Sequence, residues 1–133
     1  MAKLTPGQAS FLHEQPNVAV VAALRPNGTP HQSVVWVDYD GEHVLLNLNT
    51  WRTKLRYLEA DPRVSVLVLD RDDPLRRIRI DGTVVGTTKD GAYEHIVRQA
   101  GVYVGRESYE LQPGEERVLV RIAPEHVEAS NVA

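Results

Sequence analysis

Between positions 50 and 56 stand Thr50, Arg52, Thr53, Lys54 and Arg56, hydroxyls and cations in one short stretch. Binding a phosphate needs fixed N–H, O–H and cationic donors aimed at one point. A helix opening at this segment adds its unpaired backbone N–H groups and its dipole. The same residues also suit a solvated amphipathic helix whose cations pair with Glu59 or Asp61, and spacing alone leans that way. A second group, His31, Gln32 and Ser33, leads into Val34, Val35 and Trp36. A flat heteroaromatic ligand could take backbone hydrogen bonds at such a strand edge and apolar contact on its face. The competing reading is an edge or dimer strand with one buried Trp. A third group, Arg71, Arg76, Arg77 and Arg79, could hold an extended anionic tail. Asp70, Asp72, Asp73 and Asp81 stand beside it as partners, so a charged solvent face is the simpler account.

Other chemistries find little support. The chain has no Cys, which removes disulfides, thiolate metal sites and Cys nucleophiles. His13, His31, His43, His95 and His126 show no HxxxH or HExxH spacing, so no metal site is expected. Of these only His31 falls near a candidate ligand strand; the others are read as surface or satisfied side chains. No GxSxG elbow surrounds Ser10, Ser33, Ser65, Ser108 or Ser130, and no GxGxxG or Walker loop is present. No catalytic side chain is therefore assigned. Tyr103 and Tyr109 either cover a pocket or pack.

The elements that must position these groups follow from periodicity and turn chemistry. Thr5-Pro6-Gly7-Gln8 has the form of a capping box with Pro at the first helical position, which predicts a helix over about 6–15. Residues 18–24, VAVVAAL, read as a buried strand. Pro26-Asn27-Gly28 and Asp40-Gly41 are turns on either side of a strand over 31–39. Within it Val34 and Trp36 face one way, Val35 and Val37 the other. Another strand covers 44–48. Over 51–60 the period changes to helical, with Leu55 and Leu58 on one face, and Asp61-Pro62 ends the helix. Further strands are expected at 64–69, at 76–87 with a bulge at Gly82, and at 118–122. Asp90 is read as the cap of a helix that Gly101 stops. The stretch 102–114 is the least regular.

Six antiparallel strands joined by hairpins, with three short helices, predict a mainly β (α+β) barrel rather than a doubly wound sheet. Its open side invites a second copy of the chain. The length of 133 residues, with 42% hydrophobic and 25% charged residues, suits one globular domain over 1–133. A net charge of −3 argues against bulk nucleic-acid binding. No run approaches the ~20 apolar residues of a membrane span, and MAKLTPGQASF does not read as a signal peptide. A cytoplasmic location is expected.

The order RPNGTPHQSVVWVDYDGEHVLLNLN, TWRTKLRYLEADPRVSVLVLD, RIRIDGTV resembles the flavin- and deazaflavin-binding split β-barrels, the pyridoxamine-phosphate-oxidase-like superfamily. The run R-T-K-x-R-x-L-x-x-D-P-R-V-S is most similar to the coenzyme F-420-dependent reductases of actinobacteria. The resemblance spans about residues 8–124. It implies a six-stranded split barrel with flanking helices and a homodimer with the cofactor in a groove between subunits. It implies that Gln32, Ser33, Val34, Val35 and Trp36 lie against the ring system. Thr50, Trp51, Arg52, Thr53 and Lys54 would hold the phosphate, Asn49 would bind the cofactor beside them, and Arg77 and Arg79 would approach from one of the two chains. A surface path of Arg and Lys suits the phospholactyl–oligoglutamate tail of the deazaflavin. Tyr57 stands where the family often carries Asn. The implied activity is hydride transfer from reduced coenzyme F-420 to a small unsaturated or conjugated molecule, with the protein binding and orienting the cofactor. Two alternatives stay open: a flavin mononucleotide (FMN) enzyme of the same fold, and a non-catalytic carrier of a cofactor or haem.

Overall fold

The computed structural model describes all residues 1–133. Helix α1 (Pro6–His13) opens as its sequence predicts. The Thr5 hydroxyl accepts from the Gln8 amide, and the Gln8 side chain accepts from the Thr5 amide. Seven strands and two more helices follow: β1 (Val18–Leu24), β2 (Pro30–Val35), β3 (Val37–Tyr39), β4 (Val44–Asn49), α2 (Thr53–Ala60), β5 (Arg63–Leu69), β6 (Arg77–Thr88), α3 (Ala92–Val104) and β7 (Arg117–Ser130). All strand pairs are antiparallel. They form one sheet in the order β2-β1-β5-β6-β7-β4-β3.

The two edge strands of that sheet, β2 and β3, are consecutive in the chain and separated only by Trp36. One residue thus carries the backbone from one edge to the other, which requires the sheet to curl into a half-barrel. This corrects the expected count of six: the run read as one strand over 31–39 is two. The cause lies far away in sequence. The Val37 N–H donates to the Tyr103 hydroxyl at 3.1 Å, and that hydroxyl donates to the Asn17 carbonyl at 3.1 Å. The Trp36 ring stacks on Tyr103, centroids 5.0 Å apart and 10° from parallel.

Alternation fills the inside of the curl. Ala19, Val21 and Ala23 of β1, Val64, Val66 and Val68 of β5, Ile78 and Ile80 of β6, Val44, Leu46 and Leu48 of β4, and Val118, Val120 and Ile122 of β7 are buried there. Phe11 and Leu12 of α1 and Leu55 and Leu58 of α2 close it. Each Val, Leu, Ile or Phe among them contributes about 1.5–3 kcal/mol by leaving water. Gly82 sits at a register shift between β6 and β7, as expected, and a Cβ there would collide with the Ala123 carbonyl oxygen.

Helix α1 ends at His13, short of 15, and α2 starts at Thr53 rather than 51; three further boundaries differ from the sequence reading. Helix α3 does not stop at Gly101 but runs to Val104, where Gly105 caps it at φ 69°. An internal Gly costs about 1 kcal/mol, less than the burial of Ile96, Ala100 and Tyr103 on that helix returns. Its N-cap is Gly91, not Asp90. Strand β7 continues past Ile122 to Ser130 because it pairs with β6 along its length. No helix is long and apolar enough to cross a membrane.

Candidate functional site

Successive β4 residues point to opposite faces. Leu46 and Leu48 enter the core, while Asn47 and Asn49 lie on the outer face, buried under neighbouring segments. Over that face opens a cavity of about 400 Å³, lined by Ser33, Val34, Val35 and Trp36 from the β2–β3 crossing. Asn47, Leu48 and Asn49 line it from β4, Arg52 and Lys54 from the start of α2, Ile96 from α3, Tyr109 from the late loop and Arg117 from β7. A second cavity of about 330 Å³ lies between α1 and the turn after β3, around Ser10, His13 and Asp40.

The larger groove carries unspent donors. No carboxylate lies within 4 Å of the Arg52 or Lys54 side-chain nitrogens, since the chain's ion pairs all lie elsewhere. Burial and the charge of Arg52 hold the Lys54 ammonium below the usual lysine range. Arg52, the N-cap of helix α2, makes no side-chain cap; the Leu55 N–H turns back to the Arg52 carbonyl at 3.1 Å, which leaves the Thr53 and Lys54 N–H groups as the unpaired donors of the first turn. The Ser33 hydroxyl is buried without any hydrogen-bond partner. A buried hydroxyl in that state costs about 1–3 kcal/mol, and a ligand oxygen or nitrogen entering the groove removes the cost. The donor set therefore fits a phosphorylated planar ligand: two cations, one orphaned hydroxyl and a helix start line the same cavity as the apolar Val34, Val35 and Trp36.

The wall opposite was not legible beforehand. The Arg117 guanidinium, 11% exposed, donates to the Asn47 side-chain oxygen (2.9 Å), the Asn47 carbonyl (2.9 Å) and Glu115 (2.9 Å). The Tyr109 hydroxyl donates to the same Glu115 carboxylate at 2.9 Å, and its ring faces the guanidinium at 5.5 Å. Burial pushes the Glu115 carboxyl up, but hydrogen bonds from Gln112, Tyr109 and Arg117 outweigh it and hold the group below the usual range. Behind Asn47 a chain continues into the protein. The Asn47 amide meets His95 Nδ1 at 3.0 Å, His95 Nε2 meets Asp38 at 2.9 Å, and the other Asp38 oxygen meets His13 Nδ1 at 2.6 Å. His13 and His95 are thus satisfied groups, as read from sequence.

Of the thirteen expected cofactor residues, Ser33, Val34, Val35, Trp36, Asn49, Arg52 and Lys54 come together at the groove. Gln32 is exposed on β2, and Thr50, Trp51 and Thr53 stand next to lining residues without lining the cavity themselves. Arg77 and Arg79 do not reach the groove within one chain: they sit at the far end of β6, where Arg79 pairs with Glu128 at 2.9 Å. Tyr109, left between covering a pocket and packing, lines the cavity; Asn47, Leu48, Ile96 and Arg117 were missed. The one signal available for Asn47 was its alternation with leucines; Arg117 carried none. No three His, Asp or Glu side chains converge as a metal-ligand set.

Residues 4–131 match the family model described as pyridoxamine 5′-phosphate oxidase. Among solved structures, an F420 reductase superposes with a TM-score of 0.79 at 27% identity, covering 93% of this chain and 98% of that one. A conserved hypothetical protein from Mycobacterium tuberculosis gives 0.71 at 23% identity, covering 96% and 84%. HutZ, the haem storage protein from Vibrio cholerae, gives 0.67 at 20% identity, covering 99% and 98%. No curated protein matches the chain.

Proposed function

The chain belongs to the pyridoxamine 5′-phosphate oxidase family, and on that premise we propose that it is an oxidoreductase that binds the deazaflavin coenzyme F-420 in the groove over β4. The observation that carries this is the pair Arg52 and Lys54, unneutralised at the uncapped start of α2, lining one cavity with the orphaned Ser33 hydroxyl. The 27% identity to an F420 reductase over nearly the whole chain supports the choice of cofactor. Bound there, the reduced deazaflavin supplies hydride to a small unsaturated or conjugated organic molecule.

Lys54, Arg52 and the free Thr53 and Lys54 N–H groups at the start of α2 hold the phosphate, with Thr50, Trp51 and Thr53 shaping the segment. Trp36, locked by its stack on Tyr103, fixes the wall against which the ring system lies. Val34 and Val35 exclude water beside it. This reading needs no side-chain nucleophile, and the chain's own part is binding, orientation and electrostatics.

A homodimer completes the groove in this reading. Val34 is 69% exposed and Trp51 54% exposed at its rim, apolar surface that a second copy covers. Arg77 and Arg79 then come from that copy, and Gln32 lies at the junction. Titration of the purified protein with coenzyme F-420, followed by deazaflavin fluorescence, tests the reading: saturable binding supports it. A yellow protein as purified, with FMN bound and no response to coenzyme F-420, would instead assign the groove to the flavin.

A further inference from the structure

The chain of hydrogen bonds behind the groove determines which atoms carry protons. The Asn47 side-chain oxygen receives Arg117 Nε–H, which can only donate, at 2.9 Å. Its Nδ2 lies 2.8 Å from the Ala92 carbonyl, which can only accept. The amide orientation is therefore unambiguous, and the group facing His95 Nδ1 at 3.0 Å is an NH2 donor. His95 Nδ1 must then be a bare acceptor and Nε2 must carry the hydrogen, which it gives to Asp38 at 2.9 Å. The same logic applies on the far side of Asp38. Arg98 donates to His13 Nε2 at 3.0 Å, so His13 Nδ1 carries the hydrogen bound to Asp38. Arg98 also approaches Asp38 at 3.6 Å. Asp38, 5% exposed, is thus the fixed acceptor at the root of the array.

At the other end, three of the five N–H groups of Arg117 are spent on Asn47 and Glu115, and Arg117 is among the residues that line the groove. The two remaining N–H groups have no protein partner. Because Glu115 neutralises the charge, this is an oriented pair of donors rather than a free cation like Lys54. We propose that Arg117 is a ligand-contacting donor that reads a carbonyl or oxyanion oxygen of the bound cofactor. Asn47 and His95 are the positioning residues that hold it in place, His95 acting as the Nε2–H tautomer. The ligand-contact part rests on the cofactor-groove reading above; the positioning part does not.

Two measurements test this. In the unliganded protein, 15N imidazole shifts at pH 8 should show His95 protonated on Nε2 alone. Asn47→Asp, which puts an acceptor where the NH2 stood, should place a proton on Nδ1. A His95 spectrum identical in Asn47→Asp and wild type overturns the positioning chain. Dissociation constants for coenzyme F-420 and FMN are then compared across variants whose folding is checked by thermal unfolding. Arg117→Lys should weaken coenzyme F-420 binding tenfold or more, since lysine cannot keep three anchors and still present two donors. His95→Leu should weaken it severalfold, while His95→Gln, which can both accept and donate, should stay within about twofold of wild type. Wild-type affinity in a folded Arg117→Lys overturns the contact role. Failure of wild type to bind either cofactor overturns that role and the functional reading together, and the tautomer result then decides the positioning chain by itself.

Discussion

Replacing Lys54 by Met separates the binding role of this residue from its structural one. The ammonium is half-buried, lacks a carboxylate within ion-pair distance, and sits beside Arg52, which helps burial hold it below the usual lysine range. In the free protein its charge is therefore mildly unfavourable, and Met keeps most of the side-chain volume. Stability should change by no more than about 0.5 kcal/mol, the range of surface substitutions. For a chain of this size that is about 2 °C in Tm, with any change upward. Binding should move the other way. A hydrogen bond to a charged group contributes about 1.5–3 kcal/mol, and the half-exposed position selects the lower end, which is about tenfold in Kd. Lys89→Ala is the control. Lys89 is exposed, pairs with Glu116 at 3.0 Å and lies outside the groove, so its loss should leave Kd unchanged. Fluorescence titration with coenzyme F-420 at two salt concentrations reads the effect, and wild-type binding should weaken as salt rises. Equal Kd for Lys54→Met and Lys89→Ala, or a Tm drop of several degrees in Lys54→Met, would refute the reasoning.

Three further outcomes are expected. Gln99 is 1% exposed and neither of its side-chain polar atoms has a partner, so Gln99→Met should raise stability by about 1–2 kcal/mol in urea unfolding, by removing an unpaid desolvation. Tyr103→Phe strips the hydroxyl that satisfies the Val37 N–H and the Asn17 carbonyl; it should cost about 1–3 kcal/mol and broaden the near-ultraviolet signal of Trp36. Asp38 is pushed up by burial, but hydrogen bonds from His95, His13 and the Tyr39 amide outweigh this and hold its carboxyl below the usual 3.8. Its stabilising contribution is thus fully present above about pH 4 and lost as pH falls through the lowered value. The stability difference between wild type and Asp38→Asn should accordingly be large at pH 7 and shrink below pH 4 in unfolding measured at both.

Local chemistry made much of the fold legible. The Thr5–Gln8 capping box, the Gly28 and Gly41 turns and the alternating faces of β1 and β5 each depend on residues close in sequence, and the bulge at Gly82 was signalled by the glycine alone although its partner strand is distant. What escaped depends on distant partners. The break at Trp36 is made by Tyr103, sixty-six residues beyond Val37 in the bond that holds it. The length of β7 is set by β6, and the passage of α3 through Gly101 by the core beneath it. The site divides the same way. Ser33 to Trp36, Arg52 and Lys54 fall in the expected stretches because strand and helix start carry them there together. Arg117 and Asn47 meet only through the β4–β7 register, which pairs Asn49 with Arg117, and no local pattern announces that register.

The central claim is that this groove holds a phosphorylated deazaflavin, and a side-by-side titration of the purified protein with coenzyme F-420 and FMN tests it most directly. Saturable binding of coenzyme F-420, at least tenfold tighter than FMN and weakened by Lys54→Met, is the expected result. FMN binding as tight as or tighter than coenzyme F-420, or no saturable response to either, would contradict it.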